Sequence, residues 1–424
     1  MRLIIFEDDT YSNLYPVTYL RASFDLRCGM YSAAERLVSR LGADETAYFV
    51  RPLLAAAYGE RMPDAKVNDV SMLEGELVLA NGRLIDPKAA DEIRSGSGKA
   101  WTKSGDLIAA HLTAEQAAKC DASSIEKFVE TAAAVCEAAD CPWRTADYPW
   151  DLINSNAELI TEDFEAAGRS GVDGSIHELS CVLGPEEACY IAPGAEVEPM
   201  VCIDTRGGPV YIDEGASVNP QTRLEGPCYI GRETMIVGAK IREGCSIGPV
   251  CRVGGEVEES IIHGYSNKYH DGFLGHAYVC EWVNLGALTT NSDIKNDYSA
   301  VKVHVNGALT DTGTTKVGCY IGDHTKTSIG VVMNTGSHIG VMTLLMTSGS
   351  VLPKFIPSFA WFLDGAVTKG FGLNALLDTA RLAMGRRKKE LTAVEEALIR
   401  EVHKITDNER KAVVRKDRRK FLGR

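Results

Sequence analysis

The residue types best suited to chemistry are concentrated in residues 254–316, which are rich in His, Asn, Asp and Lys. The central part reads SNKYHDGFLGH (266–276) and is followed by NLGALTTN (284–291). An imidazole exchanges its proton near neutral pH, so His270 is a candidate general base. His263, His270 and His276 fall within 14 residues, and this spacing keeps a metal-binding alternative open.

Apolar residues recur every six positions on both sides of this polar stretch. The recurring positions are Ile191, Val197, Ile203, Ile212, Val218, Leu224, Ile230, Ile241, Ile247, Val253, Ile321, Met333, Ile339, Leu345 and Val351. Thr327 stands between Ile321 and Met333, at the position where the six-residue period predicts an apolar residue. A period of six fits neither an α-helix nor an alternating strand, but it fits a three-sided coil of short parallel strands. The pattern predicts a β-helix over 180–352, with 254–316 as a long insertion that carries the binding chemistry.

Residues 1–165 have the pattern of a mixed α/β domain. Leu3–Phe6 is a short apolar run typical of a buried strand, and a second such run ends at Asn81-Gly82. Residues 30–41 have helical spacing. Residues 113–139 are rich in Ala, with Thr113 as a helix cap.

Residues 353–424 form a third part. Pro353 and Pro357 flank aromatic residues, and helices are expected at about 373–386 and 391–422. We expect these helices to cap the open end of the β-helix or to pack against another subunit.

Composition narrows the class of protein. Of 424 residues, 45% are hydrophobic and 24% charged, as in ordinary globular domains, so two or three domains are expected. No segment is apolar enough to cross a membrane and no signal peptide is evident, so a cytoplasmic location is expected. The 12 cysteines show no zinc-site spacing and are interpreted as buried reduced thiols.

The net charge of −13 argues against nucleic acid as the main partner. Residues 381–424 are basic instead, because they contain 15 Lys/Arg against 7 Asp/Glu. Such a basic run is more often a solvated helix face than a binding surface.

The polar segment resembles the acetyltransferase half of the bifunctional enzyme that makes UDP-N-acetylglucosamine, whose repeats form a left-handed parallel β-helix. In that enzyme a catalytic His precedes aromatic-Leu-Gly, and 14 residues further an Asn opens Asn-Ile-Gly-Ala. This chain has His270, then Phe273-Leu274-Gly275, and then Asn284-Leu285-Gly286-Ala287 at the same separation. The resemblance implies acetyl-CoA as co-substrate, with His270 as the base that takes the proton of the attacking amine.

Further roles follow from this resemblance. Asn284 would hold the amino sugar or the acetyl group, and backbone N–H groups near Ala287 would meet the thioester oxygen. On residue type and location, Lys268 and Arg252 are candidates for the charge of a sugar phosphate, and Lys295 for a phosphate of coenzyme A.

The N-terminal part resembles a sugar nucleotidyltransferase without the usual glycine-rich loop and lysine. Arg21 and Arg27 are the candidates for phosphate contacts, and Asp8 or Asp9 for Mg²⁺. Alternatively, the arginines form structural ion pairs and the aspartates form turns. Asn81 stands where these folds place a metal-binding Asp, and a neutral amide attracts Mg²⁺ less.

The whole arrangement resembles the variant family described as alternative UDP-N-acetylglucosamine pyrophosphorylase/glucosamine-1-phosphate acetyltransferases. Its landmarks here are Leu14-Tyr15-Pro16, Phe24-Asp25-Leu26-Arg27, Trp150-Asp151-Leu152 and the block from Asn267 to His276. The resemblance implies a homotrimer that acts on a sugar phosphate, acetyl-CoA and a nucleoside triphosphate such as UTP.

Two alternatives remain open. In the first, one activity alone is retained and the other half of the chain is a binding or regulatory domain. In the second, the protein is a non-enzymatic trimeric scaffold that binds a sugar nucleotide. A zinc hydratase like the γ-class carbonic anhydrases would need a His five residues beyond His304, and none is present.

Overall fold

The computed structural model describes residues 1–347, 349–363 and 365–422, with side chains up to 418. The chain forms two compact units. The first comprises Met1–Leu14, Leu20–Leu26 and Tyr31–Tyr148, and the second comprises Tyr15–Tyr19, Arg27–Met30 and the chain from Pro149 onward. The predicted domain boundaries near 165, 180 and 352 stay predictions.

The first unit is built on a seven-stranded mixed sheet. In spatial order its strands are Lys66–Val67, Glu45–Phe49, Arg2–Phe6, Leu77–Asn81, Asp106–Leu112, Lys99–Lys103 and Glu137–Asp140. The first four are parallel, and Asp106–Leu112 runs antiparallel to both of its neighbours. Residues 3–6 are all buried because both sheet faces are covered, which explains their continuous apolar run.

Helices cover this sheet. They are Ala33–Leu41, Pro52–Arg61, Ala89–Ser95, Ala114–Ala117 and Ile125–Val135, with short 3₁₀ segments at Asp9–Leu14, Ser23–Asp25 and Val70–Met72. The helix predicted at 30–41 is confirmed; a Ser32/Glu35 capping box opens it, and Gly42 in the left-handed conformation ends it. Thr113 caps a single short turn, and Ser124 caps a separate longer helix.

The second unit contains the left-handed parallel β-helix, preceded by the helix Pro149–Ala167. The first face has strands Gly171–Val172, Cys189–Ile191, Val210–Ile212, Cys228–Ile230, Cys245–Ile247, Ile261–Ile262, Tyr278–Val279, Cys319–Ile321, Ser337–Ile339 and Phe355–Ile356. The second face has Ser175–Ile176, Glu196–Val197, Ser217–Val218, Met235–Ile241, Arg252–Glu258, Asn267–Lys268, Lys326–Thr327, Leu344–Met346 and Trp361–Leu363. The third has Cys181–Leu183, Cys202–Asp204, Arg223–Glu225, Phe273–Gly275, Thr290–Asn291 and Val332–Met333.

The six-residue period marks the interior of the coil, as predicted. All but one of the recurring apolar side chains are buried there, and stacked coils pair them in register, as in Val218 with Ile236. The exception is Val351, which is half exposed. Thr327 is also buried and fills its slot in the pattern. Cys228, Cys245 and Cys251 lie in the same core as free thiols.

The predicted insertion at 254–316 is much shorter in the structure. Residues 252–291 continue the coils, with strand pairs such as Val257 with Leu274. Within 254–316 the chain leaves the coil after Asn291 and returns to it at Cys319, and strands Lys302–Val305 and Ala308–Asp311 form an antiparallel hairpin in between. The period is hidden in 254–291 because Lys268 and Asn291 take interior positions that elsewhere hold apolar residues.

The C-terminal part contains strand Ala366–Thr368 and helices Leu373–Gly385, Ala393–Ile405 and Asp407–Leu422. The predicted segment 391–422 is thus two helices, separated at Thr406, whose hydroxyl donates to the Val402 carbonyl. Val413 and Val414 pack against the β-helix core, which agrees with a capping role. No helix among the described residues is long and apolar enough to cross a membrane.

Candidate functional site

His270 lies on an exposed turn between the second and third faces of the β-helix. The turn follows strand Asn267–Lys268, and the ring of Tyr269 contacts His270 edge-on with centroids 5.3 Å apart. The next coil stacks directly on this turn, since the Leu288 backbone N–H donates to the Asp271 carbonyl at 2.8 Å. A side chain at Gly272 would collide with the Thr289 carbonyl, so the close stacking requires glycine here.

Ala287 belongs to that next turn, between Gly286 and Thr289. The Ala287 carbonyl accepts from the Gly330 N–H at 2.7 Å, which connects it to the turn of the following coil. The structure therefore stacks the His270 turn and the Ala287 turn at one corner of the coil. The roles predicted for both residues stay predictions.

Asn284 lies on the second face, one coil along from Asn267. Its side chain is exposed, and its Oδ1 accepts from Asn267 Nδ2 at 3.2 Å. Arg387 donates in turn to Asn267 Oδ1 at 2.8 Å. A residue that follows helix Leu373–Gly385 thus reaches this face.

Lys268 is buried inside the coil rather than on its surface. Its Nζ donates at 2.8 Å to both the Gly254 and the His270 carbonyl oxygens, and burial lowers its pKa to about 8. The ammonium thus holds the backbone of His270 in place, and we interpret Lys268 as a positioning residue for the turn.

Replacement of Lys268 with Met is expected to lower the free energy of unfolding by about 1–3 kcal/mol, because the buried Gly254 carbonyl and the partly buried His270 carbonyl lose their donor. Urea titration measures the change. The matched control is Lys302→Met, at an exposed lysine of the hairpin. Equal stability of the two variants would contradict the positioning role.

Arg252 and Lys295 lie in different parts of the second unit. Arg252 donates to the carbonyl oxygens of Glu233 and Cys251, at 3.1 and 2.8 Å. Lys295 lies in the loop after Asn291, where its Nζ donates to Ser299 Oγ at 2.6 Å. The predicted phosphate contacts of both residues stay predictions.

The sequence analysis missed a buried charged network around His276. The imidazole lies between the Asp293 and Glu259 carboxylates, each at 2.9 Å. Burial opposes the charged form, but the bonds to Asp293 and Glu259 outweigh it and raise the pKa of His276 to about 9. Glu259, His276 and Asp293 are spaced 17 residues apart, which is about one coil. This spacing in the sequence could have indicated that the three side chains stack on neighbouring coils.

The network predicts a pH-dependent stability. The unfolded imidazole loses its proton near 6.5, whereas the folded one keeps it to about 9. The stabilisation is therefore complete below pH 6.5 and is lost as the pH rises through about 9, with a slope of up to about 1.4 kcal/mol per pH unit. Urea unfolding at several pH values should show this slope in the wild type and its absence in His276→Gln. The same slope in both would contradict the assignment.

The three histidines of the metal alternative have other surroundings. His263 Nδ1 lies 3.2 Å from the Tyr278 hydroxyl, His276 is held by carboxylates, and His270 is exposed. In the described part of the chain, the one group with three ligand atoms within 4.8 Å of one another is Glu243, Glu258 and Glu259. None of the three histidines belongs to it.

In the first unit, Asp8 follows the first strand and is already saturated with donors. Its Oδ1 accepts from the Thr10 N–H at 3.0 Å, and its Oδ2 from Asn81 Nδ2 at 2.7 Å and Arg83 at 2.9 Å. Asp9 is exposed. In this conformation the side chains do not fit Mg²⁺ at Asp8, because a guanidinium takes the place of the cation.

Arg83 is the centre of this arrangement. Its side chain is 5% exposed, and it also contacts Asp106 at 2.9 Å and Asp147 at 2.7 Å. Burial opposes ionisation, but Asp8 and Asp147 keep the pKa of Arg83 above its usual value. The Asn81-Gly82-Arg83 segment thus supplies a permanent cation beside Asp8.

The predicted phosphate ligands Arg21 and Arg27 belong to different units. Arg21 is buried in the first unit, where its carbonyl accepts from Arg51 Nη2 at 3.3 Å. The Arg27 guanidinium donates to the Met30 carbonyl and lies 5.6 Å from the Tyr229 ring. Their phosphate-binding roles stay predictions.

A cavity of about 350 Å³ opens at the carboxyl end of the parallel strands in the first unit, where α/β sheets usually bind ligands. It is lined by Phe6, Glu7, Asp8, Asp9, Tyr11, Phe49, Val50, Arg51, Pro52, Ile125, Glu126 and Val129. Arg51 pairs with Glu7 at 2.7 Å and lies 4.3 Å from the Tyr11 ring. The sequence analysis did not name Arg51 as a site residue, because it lies outside the recognised motifs. Its place just after a strand and before Pro52 could have indicated it.

Together the two units define a class of protein, an α/β domain of the nucleotidyltransferase type fused to a hexapeptide β-helix. Residues 3–170 match the family model described as sugar nucleotidyl transferase. The chain is also similar to relatives whose names combine nucleotidyltransferase and acetyltransferase activities.

Two relatives illustrate the similarity. A bifunctional sugar-1-phosphate nucleotidylyltransferase/acetyltransferase of Sulfurisphaera tokodaii is 31% identical over 144 residues, or 31% of this chain and 34% of the relative. The bifunctional protein GlmU of Jannaschia sp. is 28% identical over 228 residues, or 51% of this chain and 43% of the relative. The matches thus span less than half the length of either relative.

A solved structure, the UDP-N-acetylglucosamine acyltransferase of Arabidopsis, matches 56% of this chain and 90% of its own, with 12% identity and a TM-score of 0.25.

Proposed function

We propose that this chain is a bifunctional transferase of amino-sugar nucleotide synthesis. The β-helix transfers the acetyl group of acetyl-CoA to an amino-sugar phosphate, and the N-terminal domain joins a sugar 1-phosphate to a nucleotide. The observation that carries the acyl-transfer half is the stacking of the exposed His270 turn on the Ala287 turn at one corner. Both halves of the proposal agree with the names of the relatives.

In the proposed acyl transfer, His270 accepts the proton of the attacking amine. The amine nitrogen bonds to the thioester carbonyl carbon, and the carbon–sulfur bond then breaks. Coenzyme A leaves as the thiol, which takes up a proton. The Ala287 backbone N–H stabilises the negative oxygen, since the N–H groups of Gly286, Leu288 and Thr289 donate within the coil. Asn284 holds the acceptor.

In the proposed nucleotidyl transfer, the cavity beside Arg51 binds UTP or another nucleoside triphosphate. Its place at the carboxyl ends of the parallel strands supports this assignment. The resemblance implies Mg²⁺, which would neutralise the triphosphate. A metal bound through Asp8 would have to displace Arg83, whereas Asp9 is exposed and accessible.

Assembly as a homotrimer in the cytoplasm is also part of the proposal. Tyr269, Leu288 and Ile329 are large apolar side chains on successive turns of the His270 corner, and each is exposed in the single chain. Such a ridge is typical of a surface that another subunit covers. Sedimentation measurements of the purified protein test the trimer.

One experiment tests both activities. The protein is incubated with glucosamine 1-phosphate, acetyl-CoA, UTP and Mg²⁺, and free thiol and pyrophosphate are followed separately. The proposal expects both products. Absence of both would favour the non-enzymatic scaffold.

A second candidate retains acyl transfer alone. The observation that favours it is the saturation of Asp8 by Arg83 and Asn81, at the place where related folds bind their metal. This candidate expects thiol without pyrophosphate in the same assay.

A further inference from the structure

A cavity of about 290 Å³ lies between the second face of the β-helix and helix Leu373–Gly385. The second face contributes Tyr265, Asn267, Trp282, Val283, Asn284 and Lys326, and the C-terminal segment contributes Thr379, Leu382, Ala383, Arg386 and Arg387. Tyr265 stacks on Trp282 with ring centroids 4.6 Å apart, so one wall is aromatic and rigid. The volume is near the lower end of the ~300–1,000 Å³ usual for small-molecule sites.

Two arginines line this cavity and a third lies close to them, without a counter-charge. Arg386 and Arg387 line it, and Arg252 is close enough to Arg387 for their charges to interact. Burial, and then repulsion by Arg252 and Arg386, lowers the pKa of Arg387. No carboxylate of the described residues forms a salt bridge with any of the three, although the whole chain carries a net charge of −13.

Helix capping accounts for only part of this cluster. Arg386 is the C-cap of helix Leu373–Gly385, and a cation is favoured there by the helix dipole. Arg252, however, lies on the β-helix, and Arg387 Nε is buried without a hydrogen-bond partner among the described residues. An unneutralised cluster with an unused buried donor is typical of a site that binds an anion.

The hydrogen bonds beside the arginines also determine how Asn284 is oriented. A guanidinium only donates, so the Asn267 atom that faces Arg387 is the acceptor Oδ1. Asn267 Nδ2 therefore donates to Asn284 Oδ1. As a result, Asn284 presents its Nδ2 donor to the ligand and its oxygen is already used.

We propose that this cavity binds a small phosphorylated molecule, of the size of a monosaccharide phosphate. Arg386 and Arg387 bind the phosphate group, and Arg252 adds positive charge beside them. Asn284 Nδ2 donates to an oxygen of the same molecule. The inference of a phosphate site depends on the arginine cluster alone. The catalytic role of Asn284 depends in addition on the proposed acyl transfer.

Calorimetric titration of the full-length protein with inorganic phosphate and with glucose 1-phosphate, at constant ionic strength, tests the site. Glucose 1-phosphate has no amine and therefore cannot be N-acetylated. We expect Arg386→Ala and Arg387→Ala each to weaken binding of both probes about tenfold or more, since each removes a charge-assisted contact. Asn284→Ala should weaken the binding of glucose 1-phosphate and leave the binding of inorganic phosphate unchanged.

The matched control is Lys389→Ala, which removes the same charge from an exposed position close by. Melting temperatures verify folding, and the exposed Arg386 keeps the test valid if Arg387→Ala is unstable. Wild-type protein that binds neither probe, or arginine variants that bind like the control, would overturn the inference.

The thiol assay separates this inference from the proposed function. Phosphate binding that depends on the arginines, together with no thiol release, supports the site and counts against acyl transfer. Thiol release with arginine-independent phosphate binding supports acyl transfer and overturns the site.

Discussion

Replacement of His270 with Ala is expected to lower the rate of coenzyme A release from acetyl-CoA by about 10²–10⁴-fold, the usual contribution of a general base. The imidazole is exposed on its turn and occupies the corner next to Ala287, so its removal takes away the proposed proton acceptor and little packing. The rate is followed as free thiol with glucosamine 1-phosphate as acceptor.

His177→Ala provides the control for this experiment, because His177 is also an exposed histidine of the β-helix and lies several coils away. It should keep the wild-type rate, and both variants should melt like the wild type. Wild-type thiol release by His270→Ala would exclude His270 as the base.

Arg83→Ala is expected to destabilise the first unit by about 2–3 kcal/mol. This is less than the ~3–5 kcal/mol for breaking a fully buried pair, because the carboxylates that Arg83 neutralises are partly exposed. The change is measured by urea unfolding. Arg94→Ala, at an exposed arginine paired with Asp91, is the control and should have little effect.

Mg²⁺ adds a second readout to the Arg83 experiment. Without the guanidinium, Asp8 and Asp106 lose their cation, while Asp147 keeps Lys103 at 3.3 Å. Mg²⁺ without nucleotide should therefore raise the melting temperature of the variant and not that of the wild type. An Arg83→Ala protein as stable as Arg94→Ala would show that Arg83 is not the cation of this cluster.

The β-helix was predictable because each inward position faces the same dry interior in every coil. Burial of Ile191, Val218 and Ile247 follows from their period alone. The insertion is shorter than predicted because apolar residues alone mark the period in the sequence, whereas Lys268 and Asn291 occupy interior positions with polar side chains.

The candidate site was predicted less completely, since its contacts come from distant parts of the chain. Residue type suggested that Lys268 binds phosphate, but the carbonyl groups of Gly254 and His270 surround its ammonium. Arg387 was part of a basic run interpreted as a solvated helix face. Only the fold shows that it reaches Asn267.

The loop between Asn291 and Cys319 is a position at which the length of the chain can change, whether by engineering or in evolution. The coils before and after it pair directly, and a hydrogen bond of 2.7 Å from the Val317 N–H to the Asp293 carbonyl joins its two ends. Loop length is thereby uncoupled from strand register, and lengthening a closed loop costs little. This position is a natural point for grafting foreign segments, because they would leave the stacking of the scaffold unchanged.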